Sequence, residues 1–408
     1  MSSPVSGKAL PVLFVTLLLD LIGIGMVIPV IPSIFTDASS PSFILSNYPA
    51  AQWYIIAGIV LGLFGVMQFF AAPILGELSD MYGRKKLLSI GVGVLAISQF
   101  VFGAGILMHS LVLLVLSRAV GGLGGANFSI AQAAIADISP PEHRARNFGL
   151  MGTAFGLGFI VGPLLGGYVA HATGSAAMPF FVAGILGIIN LVSVLLFLPE
   201  THLVRKEKKT VSVLQGIYNL RAAFTDKEAS VVYSASLLYL IGFACFTSFT
   251  GIYLTHTFSL SEGTLGTYFG VVGLWIVITQ GIILRFVTRR FQERQILKIT
   301  LLCIGSALIL MPFVPTMFLQ FCFIPLIAIP QGLSIANMSA LISKSVSKEK
   351  QGAALGINGS LGAFAQGVIP TAAGFISSLF GVIIPFILGG LSIIAAWYVL
   401  FRPRIEIK

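Results

Sequence analysis

The stretch GELSDMYGRKK, residues 76–86, lies between two long apolar runs, residues 53–75 and 87–108. With a helical rise of 1.5 Å per residue, each run is long enough to cross the roughly 30 Å hydrocarbon core of a bilayer. A chain inside lipid must satisfy its own backbone hydrogen bonds, which favours helices there. The quoted stretch is therefore predicted to be a short polar connection between two membrane-spanning helices.

The composition of the whole chain points the same way. Of its 408 residues 56% are hydrophobic and only 9% are charged, whereas soluble domains carry about 25% charged residues. Disordered proteins are rich in charge and poor in apolar residues, so that class is excluded too. We expect an all-α membrane protein with 12 transmembrane helices. These spans are predicted at residues 10–34, 53–75, 87–108, 111–136, 147–170, 178–198, 230–254, 263–287, 296–314, 316–342, 352–376 and 381–401.

The basic residues predict an orientation. If the N-terminus is placed in the cytoplasm, all but one of the 24 Lys and Arg residues fall on the cytoplasmic side or at its edge. This is the positive-inside rule, and it places both termini in the cytoplasm. We expect an integral multi-pass protein of the plasma membrane, which is the inner membrane in a bacterium. The net charge of +10 then faces anionic lipid headgroups and requires no nucleic acid.

The chain divides into two halves of six spans. Residues 201–229 form the longest polar stretch between apolar runs and predict a cytoplasmic linker with a short amphipathic helix. They separate residues 1–200 from residues 230–408. A shift of 207 residues aligns five identities, which suggests a duplication with the copies in parallel orientation; chance matching is the alternative. The matched pairs are Glu142 with Glu349, Gly149 with Gly356, Gly152 with Gly359, Pro163 with Pro370 and Gly167 with Gly374.

The spacing within residues 76–86 is more specific than a basic loop requires. Gly83 allows a tight turn, and Asp80 can accept hydrogen bonds from a helix N-terminus or pair with a basic residue. Arg84 and Lys85 hold the cytoplasmic side. The pattern Gly76-xxx-Asp80-xx-Gly83-Arg84 resembles the loop signature of the major facilitator superfamily. The resemblance implies that this loop latches the cytoplasmic gate closed.

Two charged residues lie deep inside predicted spans, away from the span ends. Asp20 is about 15 Å from the cytoplasmic side, and Arg118 is about 10 Å from the outer side. Charged residues at such depth are costly and mark functional sites. We expect the two to pair, and rearrangement of the pair would let Asp20 load and release a proton. Arg118 also resembles the span-4 arginine of the superfamily, which is associated with proton coupling. A static ion pair, or an Arg118 that snorkels to the outer surface, is the alternative.

A run of small residues in span 5 predicts close helix packing. Gly158, Gly162 and Gly166 recur at four-residue spacing with Gly167 beside them, and Pro163 predicts a kink. This run also resembles the span-5 signature of the proton antiporters of the superfamily. The resemblance implies a contact between the two halves that limits leak, and it favours antiport over uniport or symport.

Nearly the whole chain resembles this superfamily, and within it the drug:proton antiporters, in particular the tetracycline-efflux-like branch. The segment that runs into span 5 supports this, and we expect Asp137 and Glu142 to order the cytoplasmic turn against Arg144 and Arg146. Transport of a tetracycline–metal complex is less well supported. Tetracycline exporters carry an acid, a histidine and an acid at the positions of Ser98, Ile276 and Ile304.

The resemblance implies a substrate cavity between the halves, lined by spans 1, 2, 4, 5, 7, 8, 10 and 11. The polar and aromatic residues there are mostly amides and rings, which suits an amphipathic or cationic compound better than a sugar or a phosphate. Each residue alone is more typical of helix packing than of a binding site. The candidates are Gln68, Asn127, Tyr239, Phe243, Phe246, Trp275, Gln331, Asn337, Asn358 and Gln366.

The sequence thus favours a proton-coupled exporter of small amphipathic organic compounds that works by alternating access. Protons, a small-molecule substrate and the lipid bilayer are the expected partners, and a monomer is expected. The chain has no phosphate-binding loop and no HExxH motif, so no catalytic residue, metal or cofactor is predicted. The alternatives are a proton-independent facilitator or sugar transporter on the same fold, and a membrane receptor or scaffold that transports nothing.

Overall fold

The computed structural model describes residues 4–139, 141–202, 212–225, 227–347 and 350–402. Within these ranges all regular structure is helical, and twelve helices are long and apolar enough to cross a membrane, as predicted. Spans 1 to 6 are Pro4–Val27 with its extensions Ile28–Val30 and Ile31–Phe35, Ala50–Tyr82, Arg84–Leu107, Leu111–Gly124 with Asn127–Ile138, Pro141–Thr173, and Met178–Phe197.

The second half follows a short linker helix, Gln215–Ala223. Span 8 changes from α-helix to π-helix near its end. Spans 7 to 12 are Lys227–Phe258, Glu262–Ile278 with Thr279–Ile283 and Leu284–Val287, Glu293–Leu310 with Met311–Phe313, Met317–Lys344, Gln351–Phe380, and Ile384–Phe401. Below, the end of the bundle that carries Arg84 is called the basic end, and the other is called the opposite end.

The connection between spans 2 and 3 is shorter than predicted. The helix of span 2 continues through Gly76 and Asp80 as far as Tyr82, and span 3 begins at Arg84. Gly83 is the only non-helical residue between them and has a φ of 104°. A positive φ of this size is strained for any residue with a Cβ, so the turn depends on glycine.

Span 4 is interrupted near its middle. Its first helix ends at Gly124 and its second begins at Asn127. The side-chain amide of Gln68 in span 2 donates to the carbonyl oxygen of Gly125 in the interruption, at 2.7 Å. A backbone carbonyl freed inside the membrane needs such a donor. The interruption places Asn127 at the start of a new helix that faces span 1.

The glycines of span 5 pack closely against other helices, as their spacing predicts, and they do so on two faces. On one face a Cβ at Gly162 would lie 2.7 Å from the Ile22 carbonyl oxygen in span 1, so the two backbones are in direct contact. Gly158 and Gly166 pack in the same way against span 1. On the other face Gly167 meets Gly266 of span 8. The second face joins the two halves.

Further contacts between the halves lie toward the opposite end. Gly58 and Gly62 of span 2 pack directly on the backbone of Pro370 and Gly367 in span 11. The Ser33 hydroxyl in span 1 donates to the Glu262 carboxylate in span 8, at 2.6 Å. These contacts close the bundle at the opposite end.

The linker helix lies at the basic end, against both halves. Its Gly216 contacts the backbone of Phe69 in span 2, and its Asn219 amide donates to the Ser360 hydroxyl in span 11, at 3.0 Å. The apolar side chains of Ile217 and Tyr218 are exposed, which suits a helix at the membrane surface. The remainder of the predicted linker, residues 203–211 and 226, lies outside the described residues.

The contact between spans 2 and 11 gives a test of the packing. Gly62→Ala should lower the free energy of unfolding by about 1–3 kcal/mol, because the new methyl group overlaps the Gly367 carbonyl oxygen. Gly356→Ala is the matched control, since nothing lies within 4 Å of a Cβ there. Thermal unfolding in detergent measures both. Equal midpoints for the two variants would contradict this packing.

Candidate functional site

Asp20 lies in the middle of span 1 and is held by two amides. The Asn127 side chain of span 4 donates to Oδ2 at 2.8 Å, and the Asn190 side chain of span 6 donates to Oδ1 at 2.9 Å. Asn190 is fully buried and also donates to the Thr16 carbonyl oxygen, at 3.1 Å. Hydrogen bonds from neutral donors to a charged acceptor are stronger than bonds between neutral groups. The arrangement therefore fits an ionised Asp20.

The predicted pair of Asp20 and Arg118 is not formed, and that prediction was wrong. Arg118 lies over the ring of Phe102, with Cζ 4.2 Å from the ring centroid, and close to Phe180. Side chains on a helix point toward its N-terminus, and span 4 begins at the opposite end. Asn127, which reaches Asp20, is nine residues, or about 13 Å, closer to the basic end.

Aromatic faces therefore replace the expected carboxylate beside Arg118. The guanidinium Nε and Nη2 atoms are buried and have no hydrogen-bond partner in the described part of the chain. A cation over aromatic rings contributes about 0.5–2 kcal/mol, the upper part of that range when it is shielded from water. Arg118 thus leans toward the opposite end, as in the snorkelling alternative, but its guanidinium stays over aromatic rings. It does not contact Asp20, whose proton it was expected to modulate.

Arg84 is the centre of a polar network at the basic end. Only 6% of its surface is exposed, and its guanidinium contacts Asp80 at 2.5 Å and the Asp137 Oδ2 atom at 3.0 Å. A third bond, also 2.5 Å long, joins it to the Ser79 hydroxyl. The planar guanidinium can bond to several acceptors in fixed directions, which an ammonium cannot. Arg84 thereby ties the ends of spans 2, 3 and 4 together.

Glu200, directly after span 6, takes the role at the helix N-terminus that the sequence suggested for Asp80. Its Oε1 atom accepts from the backbone N–H of Arg84, at 2.9 Å, and from those of Thr201 and His202. A carboxylate at this position is favoured by the helix dipole of span 3. A Cβ at Gly83 would overlap this carboxylate. This is a second reason, besides the positive φ, why the position requires glycine.

Asp137 has two described partners that the sequence reasoning did not name, whereas its predicted partners, Arg144 and Arg146, have side chains outside the described residues. Asp137 pairs with Arg84, and its Oδ2 atom lies 3.3 Å from the Nδ1 atom of His202. The side chains of Glu142 and Arg144 lie outside the described residues, as do those of the neighbouring residues at the start of span 5. Lys85 is half-buried at the start of span 3.

The cavity candidates of the first half are engaged with other helices. Gln68 supports the interruption of span 4, and Asn127 binds Asp20. Both contacts are of the packing kind that each amide alone was expected to make. The proposed lining of the cavity therefore depends more on the second half.

In the second half, two buried polar groups lack partners. The Tyr239 hydroxyl of span 7 and the Gln331 side-chain amide of span 10 are close enough to interact, but neither the hydroxyl nor the amide Nε2 atom makes a hydrogen bond of ordinary geometry to a described residue. An unpaired buried polar group costs about 1–3 kcal/mol, so a ligand or water that bonds to them is favoured.

The other candidates in the second half differ in their surroundings. Asn358 accepts from the Ser236 hydroxyl at 2.6 Å, and Asn337 donates to the Leu333 carbonyl oxygen at 2.7 Å. Phe246 is buried in the core. Four candidates retain exposed surface: Phe243, Trp275, Asn358 and Gln366.

The sequence matches the model of the family described as Major Facilitator Superfamily over residues 13–329 and, in a second match, residues 232–408. The chain belongs to the major facilitator superfamily. Solved structures of this fold cover almost all of it. The human organic anion transporter MFSD10 has a TM-score of 0.73 at 23% identity, with 98% of this chain and 100% of that chain covered. The D-xylose-proton symporter has a TM-score of 0.74 at 13% identity, with 96% of each chain covered.

Relatives by sequence carry drug-resistance names. The tetracycline resistance protein, class C, of Escherichia coli is 29% identical over 359 residues, which is 88% of this chain and 86% of that protein. The quinolone resistance protein NorA of Staphylococcus aureus is 31% identical over 259 residues, which is 62% of this chain and 60% of that protein. The membership in the superfamily identifies a fold built of two six-helix halves, with the site expected between them.

Three contributors to these networks were missed by the sequence reasoning: Asn190, Glu200 and His202. Asn190 had a signal, since it is the only amide side chain in span 6. Glu200 and His202 had a weaker one, because polar residues that directly follow a span are common at the membrane edge. No motif linked them to Arg84. In the described part of the chain, no three His, Cys, Asp or Glu side chains cluster as metal ligands would.

A double-mutant cycle tests the network around Arg84. Arg84→Ala and Asp137→Ala should be coupled by about 0.5–3 kcal/mol in the free energy of unfolding, because the two side chains are in direct contact. The cycle of Lys86→Ala with Asp137→Ala is the control, since Lys86 is exposed and lies over the Tyr82 ring. Additive effects in the Arg84 cycle would contradict the assigned contact.

Proposed function

We propose that this protein exports small amphipathic organic compounds in exchange for protons. The observation that carries the proposal is Asp20, a carboxylate half-way through the membrane that is held by two neutral amides and by no cation among the described residues. A static structural acid would gain most from a cationic partner. An acid held by neutral donors can be protonated without leaving a buried cation unpaired.

The proposed direction of transport is based on the orientation of the chain in the membrane and on the names of its sequence relatives. Basic residues at the Arg84 end place that end in the cytoplasm by the positive-inside rule. The contacts of Ser33 with Glu262 and of Gly62 with Gly367 then close the outer side, and the substrate enters from the cytoplasm. The names of the relatives, tetracycline and quinolone resistance proteins, agree with export of drug-like compounds.

Proton transfer and substrate binding are assigned to different halves of the chain, residues 1–200 and residues 230–408. Residues 201–229 join the two halves. Asp20 carries the proton in the first half. The Tyr239 hydroxyl and the Gln331 amide offer hydrogen bonds to a substrate in the second half, and the half-buried Phe243 and Trp275 rings offer apolar surface there. Rocking of the halves about the glycine contacts of spans 2, 5, 8 and 11 exposes the site to each side in turn.

Ser98, Ile276 and Ile304 stand where tetracycline exporters carry an acid, a histidine and an acid. These three residues favour a substrate class broader than tetracycline–metal complexes. The Ser98 hydroxyl donates to the Leu95 carbonyl oxygen, and Ile276 and Ile304 are buried apolar residues. They supply no charge or imidazole to a metal chelate. We therefore propose amphipathic organic compounds as substrates, and not a tetracycline–metal complex in particular.

The network around Arg84 has a role in the gate. It fixes the ends of spans 2, 3, 4 and 6 to one another, so that this half moves as one body. Its described contacts lie within the first half, which fits an open cytoplasmic gate. In the outward-open state, we expect this loop to meet the second half.

Asp20→Asn in liposomes tests the proposal. We expect the variant to exchange substrate down its concentration gradient, and to lose accumulation driven by a pH gradient, because an amide cannot carry the proton. Asp37→Asn is the matched control, since the described bonds of the Asp37 carboxylate are local, solvent-exposed ones to Ser39. Accumulation by Asp20→Asn at the wild-type level would remove Asp20 from the mechanism and favour the facilitator or another proton site.

A further inference from the structure

A cavity of about 10 Å³ lies beside Asp20, within the first half. Spans 1, 3 and 6 line it, and it exists because four of its lining residues are small: Gly23, Ala96, Ala183 and Gly187. This volume is about the minimum that holds one water molecule. Polar lining decides whether a cavity of this size is wet, since purely apolar cavities stay dry.

Two polar side chains line the cavity, Asp20 and Gln99. Each carboxylate oxygen of Asp20 accepts one amide hydrogen and keeps capacity for a further bond. Gln99 is only 6% exposed, and its side chain makes no hydrogen bond to any residue that the structure describes. The Gln99 amide thus has donors and an acceptor free for a water molecule in the space that it shares with Asp20.

We propose that this cavity is a water site, in which one water molecule bridges the Gln99 amide and the Asp20 carboxylate and transfers the proton. The inference rests on the proposed role of Asp20 as the proton carrier. In loading, a proton that arrives on the water passes to a carboxylate oxygen, forms the O–H bond of the acid and leaves a neutral water. In release, the acid returns its proton to the water.

The position of the cavity separates protons from substrate. Its walls belong to spans 1, 3 and 6 of the first half, whereas the substrate site is proposed between the halves. Asp20 can therefore exchange its proton without direct contact with the substrate. The coupling between them must then pass through the helices that hold Asp20, which are spans 4 and 6.

The amides around Asp20 suit both protonation states. The Oδ1 atoms of Asn127 and Asn190 are buried and accept no hydrogen bond from a described residue. An ionised Asp20 takes the NH2 groups of these amides, as in the structure. A protonated Asp20 needs an acceptor for its O–H, and rotation of one amide brings such an oxygen into place. The change of partner at Asn127 or Asn190 transmits the proton state to span 4 or span 6.

Other ionisable groups on the surrounding helices lie away from the cavity. Span 6 has none, and those of span 3 are at its basic end, Arg84 to Lys86. On span 4, Arg118 lies on Phe102 toward the opposite end, and Asp137 pairs with Arg84. On span 5, His171 packs near Gly263 at the opposite end; the ionisable side chains at the start of span 5, and that of Lys8 in span 1, lie outside the described residues.

Two variants remove the water by different means. Gly23→Ala places a methyl group in the cavity, and its nearest neighbour would be the Ala183 Cβ atom at 3.7 Å, an ordinary contact. Gln99→Leu removes the polar partner at similar volume. Gly93→Ala is the matched control, because its methyl group lies between spans 3 and 6 outside the cavity, 3.5 Å from Leu191.

The readouts are infrared difference spectra of the protein in lipid, in ordinary water and in oxygen-18 water, and the rate of proton release when a fluorescent amphipathic cation is added. We expect the wild type and Gly93→Ala to show a water O–H band that shifts in oxygen-18 water. Gly23→Ala and Gln99→Leu should lose that band and release protons about tenfold or more slowly, as expected when a proton-transfer partner is removed.

The outcomes separate this inference from the proposed function. A wild type without the isotope-sensitive band, or a Gly23→Ala variant with the band and the rate of Gly93→Ala, would overturn the water site and leave Asp20 as the carrier. Unchanged proton release in Asp20→Asn would overturn the proposed function, and the water site with it.

Discussion

The two hydrogen bonds from Asn127 and Asn190 to Asp20 are the interaction on which the other features depend. A carboxylate at this depth costs several kcal/mol unless polar groups replace its water. Three helices must meet with their backbones close together to supply them. The glycine face of span 5 brings span 1 into place, and the interruption of span 4 turns Asn127 toward it. The packing motifs thereby build the polar site.

Different kinds of contact stabilise the two ends of the bundle. At the opposite end the halves meet through glycine contacts and hydrogen bonds between spans, among them those from Ser33 to Glu262 and from Thr371 to the Gly58 carbonyl oxygen. Close packing of backbones is sensitive to sub-ångström shifts, so such contacts form or separate as a unit. At the basic end Arg84 holds several helices of one half together by charged hydrogen bonds. One end is suited to open and close, and the other keeps a half rigid while it moves.

The fold was predictable because hydropathy in a membrane leaves few choices. All twelve predicted spans are present in the structure, and the turn at Gly83 was predictable from its glycine. The polar residues before Gly83 suggested a loop, whereas the helix continues to Tyr82. Span 5 likewise begins at Pro141, and not at residue 147, because polar residues at the membrane edge remain helical. Length and apolar character reveal where a helix crosses, but they say little about where it ends.

The site was predictable only in its charged members. Asp20 and Arg118 were conspicuous in sequence, and their opposite charges suggested a pair; the direction in which Arg118 leans along its helix prevents it. The real partners of Asp20 are neutral amides 107 and 170 residues away along the chain. Charge identifies which residues need partners, whereas the identity of those partners depends on helix rotation and depth, which a single sequence leaves open.

The most direct test of proton-driven export uses the wild-type protein in liposomes in which all molecules have the same known orientation. Internal pH and the movement of a fluorescent amphipathic cation would be recorded together, at several imposed pH gradients and with the membrane potential clamped. We expect protons and substrate to move in opposite directions in a constant ratio, with uphill substrate movement that stops when the gradient is dissipated. Substrate movement without proton movement, at any imposed gradient, would contradict the account and identify a facilitator.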